Sequence, residues 1–168
     1  MASTLYATPY NFDARGFYFT NFEDYLEKSS NNFDHYGALV DEYEIQLIDS
    51  DDTELFLKCD INQATLPLWF EQVECLDDYE KINLFYLLNN GYNLSSALDK
   101  MEEPCIMECS LKDAAAELFD GCYLHSIPEN IKSYIDYDRF ARDCELSGDM
   151  TEFEYAGITY TCTNASAI

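Results

Sequence analysis

The chain has 168 residues, and 33 acidic residues against 9 basic ones give it a formal net charge of -24 at pH 7. A surface of this charge repels nucleic acid and anionic membranes, so we expect neither as a partner. Because 48% of the residues are hydrophobic, including 14 Tyr and 11 Phe, the chain has enough apolar surface to form a core, which excludes a disordered acidic segment.

Residues 1–60 are predicted to form a small sheet with one helix. Residues 5–9 and 17–22 flank a polar turn, which predicts a β-hairpin, and Asn21 is a candidate helix cap. Residues 42–48 alternate acidic or polar with apolar side chains, which places the acids on one face of a strand. The apolar run at residues 55–57 predicts a further strand after a polar turn.

Residues 61–103 are predicted to form a helical module. Leu66, Trp69 and Val73 fit one face of a first helix. Asp78 opens a second helix, which Gly91 ends, and a third short helix begins near a capping Ser95.

Residues 104–168 are predicted to mix strands and helices. Residues 105–111 fit a strand, and residues 112–119 fit a helix that stops at Gly121. Pro128 suits the first position of another helix. A further helix begins at Asp136 or Asp138.

That helix ends at Gly148, and residues 153–160 fit a closing hairpin. The fold class predicted from the whole pattern is therefore α+β, with three small modules (mixed β/α, helical bundle and α+β) and an acidic surface throughout.

The excess of acids predicts a protein partner with a deep basic cleft, because opposite charge gives both specificity and fast association. The carboxylates expected to face such a partner are spread over the first two modules. They are Asp41, Glu42, Glu44, Asp49, Asp51, Asp52, Glu54, Glu71, Glu74, Asp77, Asp78, Glu80, Glu102 and Glu103.

The sequence does not indicate catalysis or a cofactor. With only two histidines and no Gly-x-Ser-x-Gly or Gly-rich phosphate loop, the usual groups for acyl or phosphoryl transfer are missing. Residues 49–60 resemble a calcium loop, but Glu54 stands where Gly is needed and Asp60 where Glu is expected. We therefore expect no enzyme and no metal.

The cysteines and the first residues of the chain indicate which cellular compartment to expect. Cys105, Cys109, Cys122 and His125 have a spacing loosely like that of a zinc site, but we expect core cysteines there. The odd number of cysteines, seven, indicates reduced and mostly buried thiols. The first residues lack the basic and apolar regions of a secretory signal, so we expect a cytoplasmic protein.

One segment is specific enough to indicate a family. Residues 127–148, here called the signature segment, closely resemble the signature of the ArdA antirestriction family. The resemblance is clearest in Tyr-Ile-Asp-Tyr at residues 134–137, followed by Arg-Asp at 142–143 and a glycine at 148. The candidate signature and dimer-interface residues are Tyr134, Ile135, Asp136, Tyr137, Phe140, Arg142, Asp143 and Gly148.

The resemblance implies an elongated protein of three modules that forms a homodimer through the third. It implies a DNA mimic that binds the DNA groove of type I restriction-modification enzymes, on their methyltransferase and specificity subunits. Such proteins are carried by mobile genetic elements and protect incoming DNA. Within the signature segment, Tyr134, Ile135, Tyr137 and Phe140 are expected to pack or to form the dimer interface rather than contact the target.

The charge is consistent with that implication, and two other classes stay open. Twice the charge of one chain matches about 80 Å of duplex, because B-DNA carries one charge per ~1.7 Å. A DNA mimic that inhibits another nuclease system, such as CRISPR, would carry the same charge. So does an acidic protein of a halophile with an unrelated role.

Overall fold

The fold, seen in a computed structural model that describes residues 3–168, is mixed α+β. This range contains seven α-helices and two three-stranded antiparallel sheets. The strands are β1 (Thr4–Pro9), β2 (Phe17–Phe19), β3 (Tyr43–Asp49), β4 (Ile106–Met107), β5 (Thr151–Tyr155) and β6 (Ile158–Cys162). The helices are α1 (Phe22–Ser30), α2 (Thr53–Cys59), α3 (Leu66–Leu68), α4 (Asp78–Asn89), α5 (Leu94–Asp99), α6 (Leu111–Cys122) and α7 (Tyr137–Ser147).

The chain divides into two compact units. The first unit ends at Lys81 and the second runs from Ile82 to Ile168, so the boundary falls inside α4. The three modules expected from the sequence stay a prediction.

The sheet of the first unit has the strand order β2-β1-β3. Leu5 pairs with Phe19, and Ala7 pairs with Ile45 on the other side, so the predicted hairpin of β1 and β2 is confirmed. Asn21 caps α1 as predicted, because its side-chain oxygen accepts a hydrogen bond from the backbone N–H of Asp24 at 2.8 Å.

The strand predicted at residues 55–57 is wrong, since these residues lie in α2. Leu55, Phe56 and Cys59 are buried and fall on one helical face, whereas Leu57 is exposed. The three-residue apolar run alone could not distinguish a strand from a helix, because its period becomes visible only with Cys59.

The predicted helices that follow are present, with two differences in detail. Leu66, Trp69 and Val73 are fully buried as expected, but α3 continues into a π-helical turn (Trp69–Val73). The last of these helices, α5, is capped by Asn93 rather than by Ser95, because the Asn93 side chain accepts the N–H of Ser96 at 2.9 Å.

In the second unit the sheet order is β4-β6-β5, and α6 packs against α7. The predicted closing hairpin is confirmed: β5 and β6 join through Ala156 and Gly157, whose φ angles of 51° and 76° suit a tight turn. The two helices meet in a buried cluster formed by Leu111, Ala114, Ala115, Ala141, Cys144 and Met150.

Three boundaries of this unit differ from the prediction. Ser110 caps α6 through the N–H of Asp113, so the strand before it shortens to β4. Gly121 lies inside α6 rather than stopping it. Pro128 begins no helix: its carbonyl accepts the N–H of Ile131 in a turn, and a 3-10 turn follows at Lys132–Tyr134.

The described part of the chain contains no helix whose length and apolar character would let it cross a membrane.

Two glycines differ in the space around them, and we predict opposite effects of replacing them by alanine. A Cβ on Gly16 would lie 2.4 Å from the Tyr6 hydroxyl and 2.7 Å from the Ala7 carbonyl oxygen, so Gly16→Ala should lower the free energy of unfolding by about 1–3 kcal/mol. A Cβ on Gly121 meets no atom within 4 Å in α6, so Gly121→Ala should raise it by about 0.5–1 kcal/mol.

Urea unfolding checks both variants. The fluorescence of Trp69, the single tryptophan, reports on the first unit, and circular dichroism follows the helices. Unchanged stability of Gly16→Ala would contradict the close approach of Tyr6.

Candidate functional site

The first group of predicted carboxylates lies just before β3 and at its start. Asp41, Glu42 and Glu44 are exposed, and the alternating residues Tyr43 and Ile45 are buried. The extended backbone therefore turns acids outward at every second position while the apolar side chains anchor the strand.

The backbone on either side of these acids is fixed. The N–H of Tyr43 donates to the side-chain oxygen of Gln63 at 2.8 Å, and the carbonyl of Glu42 accepts from the N–H of Tyr10 at 3.2 Å. The Gln63 amide also donates to the carbonyl of Asp41 at 2.9 Å. The first carboxylates are thus presented from an ordered support.

The second group runs from the last residue of β3 through the turn into the start of α2. Asp49, Asp51 and Glu54 are exposed. Asp52 is half-buried: its carboxylate accepts from the Lys81 ammonium at 2.8 Å, and both side chains are only 15% exposed. Asp52 therefore has a structural partner and contributes less negative potential at the surface.

The third group runs from the π-helical turn to the start of α4. Glu71, Asp77 and Asp78 are exposed, but Glu74 accepts the backbone N–H of Ser3 at 2.8 Å. Asp77 accepts the N–H of Glu80 at 2.8 Å while Glu80 accepts that of Asp77 at 2.9 Å. The reciprocal hydrogen bonds of Asp77 and Glu80 form a capping box at the start of α4. Glu74, Asp77 and Glu80 therefore make structural contacts in addition to carrying charge.

The last pair of predicted carboxylates, Glu102 and Glu103, lies in the second unit and is exposed. Glu103 accepts a hydrogen bond from Lys100 at 2.9 Å, and this ion pair raises the pKa of the Lys100 ammonium. The pair is solvent-exposed, so its contribution to stability is small.

Two residues of the signature segment define the ends of α7. The side chain of Asp136 accepts the N–H of Arg139 at 3.0 Å and caps the helix. Gly148 ends it in the left-handed conformation, with φ of 77°, and donates to the Glu145 carbonyl at 3.0 Å. Asp136 and Gly148 thus shape the helix.

Two aromatic residues of the segment attach α7 to α6. Tyr137 and Phe140 lie 5.6 and 5.1 Å from the ring of Phe119, both edge to face. The Tyr137 hydroxyl donates to the Asp120 carboxylate at 2.5 Å, which raises the pKa of Tyr137.

The other members of the signature segment face outward to different degrees. Ile135 is half-buried, whereas Arg142 and Asp143 are exposed. Tyr134 is 83% exposed, so its ring is available to a partner.

Sequence reasoning missed two kinds of surface residue. Exposed acids also occur outside the predicted set, among them Glu23, Glu27, Asp113, Glu117, Glu145 and Glu154. The aromatic residues Phe12 and Tyr36 are exposed as well. The position of Phe12 in the middle of a predicted polar turn was a usable signal, because a turn residue has no place in a core.

The expectation that the cysteines are mostly core residues is only partly right. All seven are free; the buried ones are Cys59, Cys144 and Cys162, and the exposed ones are Cys75, Cys105 and Cys122. Burial raises the pKa of the Cys59 thiol to about 12, so this cysteine is inert. Within residues 3–168, no three His, Cys, Asp or Glu side chains are grouped as a metal site requires.

The comparison with protein families gives one match. The sequence model of the family described as antirestriction protein (ArdA) matches residues 15–158, which is most of the chain and includes the signature segment. The family consists of inhibitors rather than enzymes. A search of curated proteins finds no match.

The carboxylate of Asp34 generates a prediction about acid stability. It accepts hydrogen bonds from the backbone N–H groups of Tyr36 and Ala38, each at 2.9 Å, and from the Asn11 amide at 3.0 Å. These bonds, that from Ala38 foremost, lower the pKa of Asp34 below its ordinary value of 3.8.

Because the folded pKa is lowered, the unfolded chain takes up the proton first as the pH falls. The stabilisation by Asp34 is therefore complete above pH 3.8 and is lost as the pH falls through the folded pKa. We predict that Asp34→Asn is less stable than wild type at pH 6 and that the difference closes below pH 3.8. Urea unfolding followed by Trp69 fluorescence measures it, and a constant difference would contradict the assignment.

Proposed function

Because the chain belongs to the ArdA antirestriction family, we propose that it inhibits type I restriction-modification enzymes by occupying their DNA-binding groove. The carboxylates take the place of backbone phosphates on the methyltransferase and specificity subunits. Bound in this way, the protein blocks cleavage of incoming DNA.

The observation that carries the proposal is the row of exposed acids on a fixed backbone. Glu44 projects from β3, whose alternating residues Tyr43 and Ile45 are buried. Asp41 and Glu42 lie just before the strand, Asp49 ends it, and Asp51 and Glu54 follow. Phosphate contacts position a protein on DNA without reading its sequence, so a partner that reproduces only the charges is able to inhibit enzymes of different specificity.

Inhibition of this kind is a binding event, so we propose that it requires neither catalysis nor a cofactor. Inhibition of restriction distinguishes this function from the two alternatives. An inhibitor of a CRISPR nuclease would leave restriction unchanged, and an acidic protein of a halophile would not bind either system.

The proposal predicts that the protein and DNA exclude each other from a type I methyltransferase. Increasing protein should release labelled unmodified duplex, and the apparent affinity should fall as salt rises, because the contacts replace Lys/Arg–phosphate pairs. In cells with an active type I system, expression should raise the plating efficiency of unmodified phage. A stable complex that still holds DNA in the groove would refute the proposal.

The same assay distinguishes a distributed charge from a local site. Asp49→Asn should weaken binding only a few-fold, since one exposed charge contributes about 1 kcal/mol or less. The combined variant Asp41→Asn, Glu42→Gln, Glu44→Gln should weaken it much more and flatten the salt dependence. Loss of all binding in Asp49→Asn would show a localised site instead.

We also propose that two chains form a symmetric homodimer through residues 104–168. Tyr134, Tyr123 and Ile131 are large side chains with exposures of 83%, 51% and 49% in or near the signature segment. An apolar contact of this kind has to overcome the repulsion between two chains of charge -24.

Salt should therefore strengthen the dimer, because it screens the repulsion and leaves the apolar contact intact. Tyr134→Glu should shift sedimentation towards the monomer. The matched control is Tyr79→Glu, at another exposed tyrosine on α4, which should leave the dimer unchanged. A wild-type monomer at micromolar concentration in physiological salt would contradict the dimer.

A further inference from the structure

The loop between β1 and β2 carries an aromatic residue that the fold does not use. Phe12 is fully exposed, at 102% of its reference area, and Tyr10 and Tyr36 beside this loop are 63% and 79% exposed. Single exposed apolar residues are ordinary, but here three large aromatic side chains are exposed on loops that hydrogen bonds join, and together they offer apolar surface to a partner.

The loop that carries Phe12 is held on both sides of the ring. The side chain of Asn11 accepts the N–H of Asp13 at 2.9 Å and donates to the Asp34 carboxylate at 3.0 Å. The Asp13 carbonyl accepts the N–H of His35 at 3.1 Å, and the Arg15 carbonyl accepts the Asn32 amide at 2.9 Å.

The close approach of Gly16 to Tyr6 fixes the end of the same loop. The ring of Phe12 is thus mounted on an ordered support, and little entropy is lost when a partner takes it up.

Carboxylates outnumber bases around Phe12, with Arg15 exposed on the same loop. Asp13 follows it directly and is exposed, and the half-buried Asp34 is hydrogen-bonded to its neighbour Asn11. Tyr10 lies beside Glu42 through a backbone hydrogen bond. An apolar ring that stands out from carboxylates is complementary to a partner with a basic surface and an apolar pocket within it.

A DNA methyltransferase has such a pocket. These enzymes rotate the target base out of the duplex and hold it by stacking between aromatic or apolar side chains, beside the basic surface that binds the phosphates. We propose that Phe12 enters this base pocket, as a flipped base does, while the acids around it contact the phosphate-binding residues. This inference rests on the proposed function and names the part of the enzyme that the first unit binds.

Phenylalanine has no hydrogen-bonding edge, so it fills the pocket by stacking and shape alone. The contact therefore depends on the ring and not on the base that the enzyme modifies. An aromatic ring in a stacking site changes affinity by about 5- to 100-fold when it is removed.

The test compares variants for binding to the methyltransferase complex of a type I enzyme. Phe12→Ala should weaken binding about 10-fold or more, and Phe12→Tyr should retain it. The matched control is Tyr18→Ala, at an exposed aromatic residue on β2, which should bind like wild type. Trp69 fluorescence verifies that each variant is folded.

A second arm locates the ring. In the enzyme, the aromatic residue that stacks on the flipped base is replaced by alanine, and the loss caused by Phe12→Ala is measured again. The loss should then largely disappear, because paired residues couple in a double-mutant cycle. A loss that persists in full places Phe12 elsewhere and overturns the inference.

The outcomes separate the two proposals. If wild type fails to bind the methyltransferase, the proposed function and this inference fall together. If wild type binds and competes with DNA but Phe12→Ala binds equally well, only the assignment of Phe12 is wrong.

Discussion

Repulsion among the carboxylates is the constraint on which the rest of the structure depends. A chain of charge -24 stays folded only if its core outweighs that repulsion. Leu55, Leu66 and Trp69 are fully buried, and the rings of Phe56 and Trp69 meet edge to face at 4.9 Å. One such aromatic pair contributes about 0.5–1.5 kcal/mol beyond its buried area, whereas repulsion between distant exposed charges is screened within about 10 Å at 0.1 M salt.

The prediction from sequence was best where a residue acts through its immediate neighbours in the chain, as in helix caps and tight turns. Asn21 and Asp136 cap helices by accepting backbone N–H groups, and Ala156-Gly157 closes a hairpin with positive φ angles. It failed where a short local pattern was ambiguous. Residues 55–57 became helical because Cys59 completes a buried face, and Gly121 stayed within α6 rather than ending it.

The sequence predicted which acids belong to the candidate site. It did not predict which of them also make structural contacts. The alternation along β3 correctly indicated which acids project outward. The sequence could not show that Asp52 pairs with Lys81 or that Glu74 binds the N–H of Ser3, because these contacts join residues 29 and 71 positions apart. It also gave no weight to Phe12, since an aromatic residue is normally counted towards the core.

The most direct test of the account is to map where the protein lies on a type I methyltransferase complex. Amide hydrogen exchange of the enzyme, measured alone, with unmodified duplex and with this protein, gives the protected peptides in each state. The account predicts that the protein protects the same basic groove peptides as DNA, and that adding DNA to the inhibited enzyme changes nothing there. Protection confined to surfaces outside the DNA groove would contradict it.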